Sequence, residues 1–241
     1  MAKYLLIIII LFSLVAGAYF ASSTPNSQAA ASDWTLTWSS DSYVPPGYEG
    51  KALPARGGLI KVHALPVKKL TTNPDFLYYR WLLDGKLVYS AQGQGKSTLS
   101  FRATKWGGDS YEVACQILDS QDNVLWRSSL AIRVASPQVL LKLEDSSYAL
   151  KNSLLAKTGE NLTLIALPFF FRAADLAGLS FSWQLDSATL ASPDEKNPDQ
   201  LTIKIPAAAL PESVFKTLSL AVKNKLDQLQ QFALELIIEI K

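Results

Sequence analysis

Apolar and polar residues alternate along most of the chain from residue 33 onward, and helical periodicity is almost absent. The stretch from Leu59 to Leu65 shows the pattern well, because Ile60, Val62 and Ala64 fall on one face while Lys61 and His63 fall on the other. A period of two is typical of strands that bury one face. The pattern therefore predicts an all-β protein.

The strand pattern occurs twice at a fixed distance. Leu77, Tyr79, Trp81 and Leu83, followed by Asp84, return 102 positions later as Leu179, Phe181, Trp183 and Leu185, followed by Asp186. A repeat of about 100 residues fits one β-sandwich per copy, since solenoid repeats span roughly 20 to 50 residues. The sequence predicts two tandem modules, 33–135 and 137–241, joined at Ala135-Ser136-Pro137. Trp81 and Trp183, at the centre of apolar strand faces, are predicted core residues.

Two motifs of the first module resemble a known family. Tyr79-x-Trp81 is followed by the turn Asp84-Gly85, and a later strand reads Gly108-x-x-Tyr111-x-Val113-x-Cys115-x-Ile117-x-Asp119. With both motifs, the chain resembles the PKD-type immunoglobulin-like domains of microbial surface proteins. The resemblance implies a pair of immunoglobulin/PKD-like sandwiches that act in adhesion, spacing or complex assembly. It implies no particular binding residue.

The N-terminus predicts export. Lys3 precedes an apolar run from Tyr4 to Ala21, which is long enough to cross a bilayer core of about 30 Å as a helix. The alternative is a cleaved signal peptide with Ala16-Gly17-Ala18 as the cleavage site. Residues 1–21 are therefore interpreted as a membrane anchor or a signal peptide, and residues 22–32 as a flexible linker. The modules would lie outside a cell membrane, tethered by one span, or be secreted if the segment is cleaved.

The composition limits the kinds of binding and catalysis that the chain can support. The 241 residues carry a net charge of +2 without a basic cluster, and contain one His and one Cys. This balance does not indicate nucleic-acid binding, and the single His and Cys disfavour a transition-metal site or a thiol–imidazole pair. Cys115 is predicted to be buried and His63 to lie on the surface. The expectation is a protein that is not an enzyme and needs no cofactor or metal.

Two groups of acidic residues have a simple interpretation. Asp119, Asp122 and Asn123 lie between two predicted strands, and Asp194, Glu195 and Asp199 lie in a proline-punctuated loop. Neither group has the alternating spacing and distant Glu of a dedicated calcium loop. Asp and Asn are also the residues that turns use for local hydrogen bonds. Both groups are therefore interpreted as turns.

Aromatic residues in predicted loops are the candidate partner-binding sites. Phe169, Phe170 and Phe171 follow Pro168 directly, and three consecutive aromatics would point to both faces of a strand. Either a helical turn within 173–177 covers them, or they dock the first module, a partner protein or a membrane. Trp106 and Trp126 could pack at a module rim or stack on sugar rings.

The sequence thus predicts a non-enzymatic, exported and membrane-tethered binding or scaffolding protein. The leading version acts through protein–protein contacts with an envelope protein, in a cell-surface or pilus-type assembly. The alternative is a carbohydrate-binding surface module that uses exposed Trp.

Overall fold

A computed structural model describes residues 33–68, 73–190, 196–207 and 212–241. The predicted membrane anchor or signal peptide (1–21) and the predicted linker (22–32) lie outside the described residues. None of the helices within the described ranges is long and apolar enough to span a membrane. The helical segments within these ranges are short 3-10 turns, at Pro74–Phe76, Tyr89–Ala91 and Leu176–Gly178.

The first half of the chain (33–135) forms two antiparallel sheets. Its strands are β1 (Trp34–Ser40), β2 (Leu59–Pro66), β3 (Tyr78–Leu83), β4 (Lys86–Leu87), β5 (Gly93–Gln94), β6 (Thr98–Arg102), β7 (Ser110–Leu118) and β8 (Val124–Arg133). One sheet has the order β1-β2-β6, and the other has the order β4-β3-β7-β8 with β5 also paired to β3. Buried residues of both sheets form one core, so the sheets face each other.

The second half (137–241) is built in the same way. Its strands are β9 (Gln138–Leu143), β10 (Ala149–Leu150), β11 (Ser153–Ala156), β12 (Asn161–Phe169), β13 (Leu179–Leu185), β14 (Ala188–Thr189), β15 (Gln200–Lys204), β16 (Val214–Asn224) and β17 (Gln231–Ile240). The sheets have the orders β10-β9-β12-β15 and β11-β17-β16-β13-β14. The pairing of β11 with β17 is parallel.

Alternation along these strands produces the two cores, and the predicted core residues are confirmed. Trp81 and Trp183 are fully buried, one in each core. In both halves the chain passes from one sheet to the other and back, as in immunoglobulin-type sandwiches. The protein is therefore an all-β, immunoglobulin-like β-sandwich protein. The predicted domain boundaries stay a prediction, because residues 33–241 form one compact unit.

The repeated aspartates at the end of the Trp strands have a structural role. The carboxylate of Asp84 accepts the backbone N–H of Glu112 at 3.0 Å, and that of Asp186 accepts the N–H of Thr217 at 2.9 Å. Each thereby fixes a tight turn to the adjacent strand. Ser187 completes the second turn with φ +67°, a left-handed conformation that is unfavourable for a residue with a Cβ.

Candidate binding cleft between the two halves

Trp106 lies in a tight loop where the first half meets the second. Its backbone N–H donates to the Asp109 carboxylate at 3.2 Å, and the N–H of Asp109 donates back to the Trp106 carbonyl at 3.1 Å. The next residue, Gly107, packs directly on Ser136, because a Cβ there would come within 2.6 Å of the Ser136 backbone nitrogen. The loop thus holds the indole at the junction, with 56% of Trp106 exposed.

A cavity of about 350 Å³ opens beside this indole, and residues of both halves line it. We call it the junction cleft. Arg56, Trp106 and Gly107 line it from the first half, and Asp227, Leu229 and Gln231 are among the lining residues of the second. The guanidinium of Arg56 lies 4.0 Å from the centre of the Trp106 ring, in cation–π geometry. The cleft therefore combines an exposed aromatic surface, a cation, a carboxylate and an amide.

A buried glutamine fixes the floor of the cleft. Gln230 is only 3% exposed, and its Nε2 donates to the Arg56 carbonyl at 2.6 Å. Its Oε1 accepts the backbone N–H of Arg172 at 2.7 Å and the side-chain amide of Asn224 at 3.1 Å. Both ends of the amide are therefore used, as a buried polar group requires. The same side chain connects the two halves.

The Phe169–Phe171 run contacts the first half. The backbone N–H of Tyr43 donates to the Phe171 carbonyl at 2.7 Å, and the N–H of Phe170 donates to the Tyr43 carbonyl at 2.8 Å. The ring of Tyr48 lies 5.4 Å from that of Phe169 and 6.4 Å from that of Phe170. The sequence left open whether a helical turn, the first module, a partner protein or a membrane covers this run. The structure places residues of the first half against it.

The burial of the run departs from strand alternation. Phe171 is fully buried in the second core, Phe170 is 8% exposed and Phe169 is half-buried. Phe170 has φ +61°, an uncommon conformation that lets two consecutive rings be buried. Phe171 is therefore unavailable to an external partner, and Phe170 nearly so. Phe170 also lines a second cavity together with Gly107, so the run and Trp106 flank the same junction.

Trp126 does not line the junction cleft. It is half-buried on β8, where it packs on the first core with its ring 6.5 Å from that of Trp34. It pairs with Ile117 near one end of β7, whereas the Trp106 loop precedes the other end at Ser110. The structure does not bring the two candidate tryptophans together. Trp126 occupies the rim-packing position that the sequence left open.

The remaining candidates are held in local structure. Cys115 is buried, as predicted, and burial raises the pKa of its thiol to about 12. His63 is half-buried rather than fully exposed, with Nδ1 3.0 Å from the Thr98 hydroxyl. Hydrogen bonds from Asn123 and from the Gln121 N–H lower the pKa of Asp119. The described parts of the chain contain no group of three or more His, Cys, Asp or Glu placed to hold a metal ion.

Residues 194 and 195 lie outside the described residues, but Asp199 is described. Burial raises the pKa of the Asp199 carboxyl. Burial also raises the pKa of Tyr43, with smaller contributions from the charges of Asp199 and Asp175. These acidic residues of the second half therefore lie close enough to act on a junction residue of the first. The sequence placed Asp199 in a loop without indicating this neighbour.

Comparisons with known proteins give structural likeness at low identity. No protein-family profile and no curated protein matches the chain. Fibronectin(III)-like modules of CbhA from Clostridium thermocellum are 15% identical, with 86% of this chain and 93% of that chain covered at a TM-score of 0.31. The chicken interferon gamma receptor alpha chain is 10% identical, with 78% and 95% covered at a TM-score of 0.28.

A third similar structure contains a bound sugar. It is SGBP-B of the Bacteroides ovatus mixed-linkage glucan utilization locus, in complex with a mixed-linkage heptasaccharide. It is 12% identical to this chain, with 87% of this chain and 48% of that chain covered at a TM-score of 0.27. The chain thus spans about half the length of this structure. At such scores the likenesses carry no functional argument, and the fold assignment rests on the strand topology.

Proposed function

We propose that this chain is a non-enzymatic binding or scaffolding protein made of two tandem immunoglobulin-like domains of PKD type. Its N-terminal segment would display the domains outside a cell membrane, or direct their secretion if it is cleaved. The apolar run from Tyr4 to Ala21, with Lys3 before it, supports export. The two PKD-like motifs of the first half support the domain type.

One observation carries the binding role: the exposed Trp106 and the half-buried Arg56 lie together in a cleft whose two walls are fixed to each other. The Tyr43–Phe171 backbone bridge and the Gln230–Arg56 hydrogen bond hold the walls. Tryptophan and arginine are the residues that most often dominate the energy of protein interfaces. Because the walls are already in place, a partner would lose little free energy in ordering them.

The partner in the leading version is another envelope protein, within a cell-surface or pilus-type assembly. A photo-crosslinking amino acid in place of Trp106, in the full chain in its native membrane, tests this version directly. We expect one discrete cross-linked protein. Tyr148 is 82% exposed and does not line the cleft, so the same probe at position 148 is the matched control. Identical products at both positions would contradict the proposal.

The alternative partner is a glycan. The arrangement that favours it is the indole of Trp106 beside the amide of Gln231 and the carboxylate of Asp227, since aromatic faces and hydrogen-bonding groups are what a sugar ring requires. Titration with a panel of oligosaccharides should then change the intrinsic Trp fluorescence. Trp106→Phe should abolish the change while Trp126→Phe preserves it. A panel that leaves the fluorescence unchanged would argue against this alternative.

A further inference from the structure

The strand β8 has an open edge. It pairs with β7 along its whole length and ends the order of its sheet. On its other side no strand within the described ranges pairs with it. The nearest backbone pairing lies just beyond its end, where the N–H of Ala135 donates to the Pro54 carbonyl at 2.9 Å. An unpaired strand edge is a template for a further strand.

The second half shows how this edge is filled within the chain. There β11 pairs in parallel with Ile237–Ile240 of β17, the strand equivalent to β8. The backbone N–H of Ile237 donates to the Asn152 carbonyl at 3.0 Å, and the backbone N–H of Lys241 donates to the Ala156 carbonyl at 3.1 Å. In the first half the corresponding pairing is reduced to the single Ala55–Ala135 bridge. Pro54, which has no N–H, stands where that pairing would continue.

The backbone groups at the open edge follow from the strand period. Successive backbone groups of a strand point to opposite sides. The Ala135 N–H points to the open side, and so do the backbone groups at every second position before it. These residues, all with exposed side chains, are Arg127, Ser129, Ala131 and Arg133. An added strand would therefore pair with these four residues.

Charge indicates what kind of strand fits. On β17 the charged residues are Glu235, which is exposed, and Glu239, which is half-buried. The strand that pairs with β17 is flanked by Lys151 and Lys157. The charged residues of β8 are instead Arg127 and Arg133, with no acid on the strand.

We propose that the open edge of β8 binds an extended acidic segment of a partner protein by strand addition. This inference rests on the proposed binding function and adds a second partner-binding surface to the junction cleft. Glu112, opposite Ala131 on β7, lies one strand in from the edge. A second copy of β8 is the less suitable occupant, because it would bring four arginines onto one ribbon.

The test uses synthetic peptides and the full chain. The probe is a fluorescent ten-residue peptide of alternating Val and Glu, and the controls are its Val–Lys counterpart and a Val–Glu version with a central Pro. We expect fluorescence anisotropy to show binding of the uninterrupted acidic peptide alone. Ser129→Pro removes one edge N–H that β7 does not use, so it should weaken binding about tenfold or more. The matched variant Ser129→Ala keeps the N–H and should change binding less than about twofold.

Further outcomes decide between occupants. The double variant Arg127→Glu/Arg133→Glu should transfer binding to the Val–Lys peptide, and unchanged preference would overturn the acidic assignment. Equal binding by Ser129→Pro and Ser129→Ala, with both variants folded by circular dichroism, would overturn strand addition. A dimer in sedimentation that Ser129→Pro disperses would show that a second copy fills the edge. Cross-linking at position 106 tests the junction cleft separately, so either proposal can fail alone.

Discussion

Gln230 offers a direct test of whether the two halves are held together by a specific polar contact. Gln230→Ala removes the acceptor of the Arg172 N–H and the donor to the Arg56 carbonyl. Each buried polar group left without a partner costs about 1–3 kcal/mol. Asn224 keeps a bond to the Arg172 carbonyl at 2.8 Å, so two groups lose their partner. Two such costs sum to about 2–6 kcal/mol. Both bonds are only part-buried, so we expect the free energy of unfolding to fall by about 2–4 kcal/mol, in the lower part of that range.

Urea unfolding followed by Trp fluorescence measures this loss, and two variants sharpen it. Gln228→Ala, at an exposed position of the same loop, should change the free energy of unfolding by less than about 0.5 kcal/mol. Gln230→Glu keeps both acceptor contacts within the second half but cannot donate to Arg56. It should increase amide hydrogen exchange around residue 56 while the Arg172 amide stays protected. If Gln230→Ala were as stable as Gln228→Ala, the reasoning would be refuted.

Three further predictions concern positions within the halves. The Trp81 indole N–H donates to the Lys96 carbonyl at 2.8 Å, whereas the indole N–H of Trp183 is buried without a partner among the described residues. In urea unfolding, Trp81→Phe should therefore lower the free energy of unfolding by about 1–2 kcal/mol more than Trp183→Phe does. Ser187→Gly should stabilise the protein by about 1 kcal/mol by removing a left-handed Cβ, and a lower unfolding midpoint would contradict this. Burial raises the pKa of Asp199, so the contribution of this carboxyl to stability falls as the pH rises through that raised value. Asp199→Asn should therefore raise the unfolding midpoint at pH 7 but not near pH 3. Hydrogen bonds lower the pKa of Asp119, so Asp119→Asn should instead lower the unfolding midpoint at pH 7. Equal changes in the midpoint for the two variants would refute the pH argument.

The features that the sequence predicted depend on local pattern. Alternation places Trp81 and Trp183 on apolar strand faces, and a buried face needs only that pattern to form. The same argument placed Cys115 inside. The repeated aspartates were visible as turn residues, although their bonds to the neighbouring strand were not.

The features that the sequence missed depend on contacts between distant segments. Gln230 reads as one of several loop glutamines, and its partner Arg56 lies 174 positions away. No periodic signal reports such a contact. The Phe169–Phe171 run was recognised as unusual, but which surface covers it depends on where Tyr43 and Tyr48 lie. The cleft beside Trp106 arises in the same way, from two loops that meet only after folding.

The parallel pair β11–β17 has a consequence for how the chain bears mechanical tension. A pull between the two ends of the second half loads the hydrogen bonds of this pair in shear, so several must break at once. The first half has only the Ala55–Ala135 bridge at the equivalent place. Without a longer parallel pair at this place, its last strand β8 can separate from the preceding segment with fewer bonds broken together. We therefore expect the first half to extend before the second when the chain is pulled by its two ends.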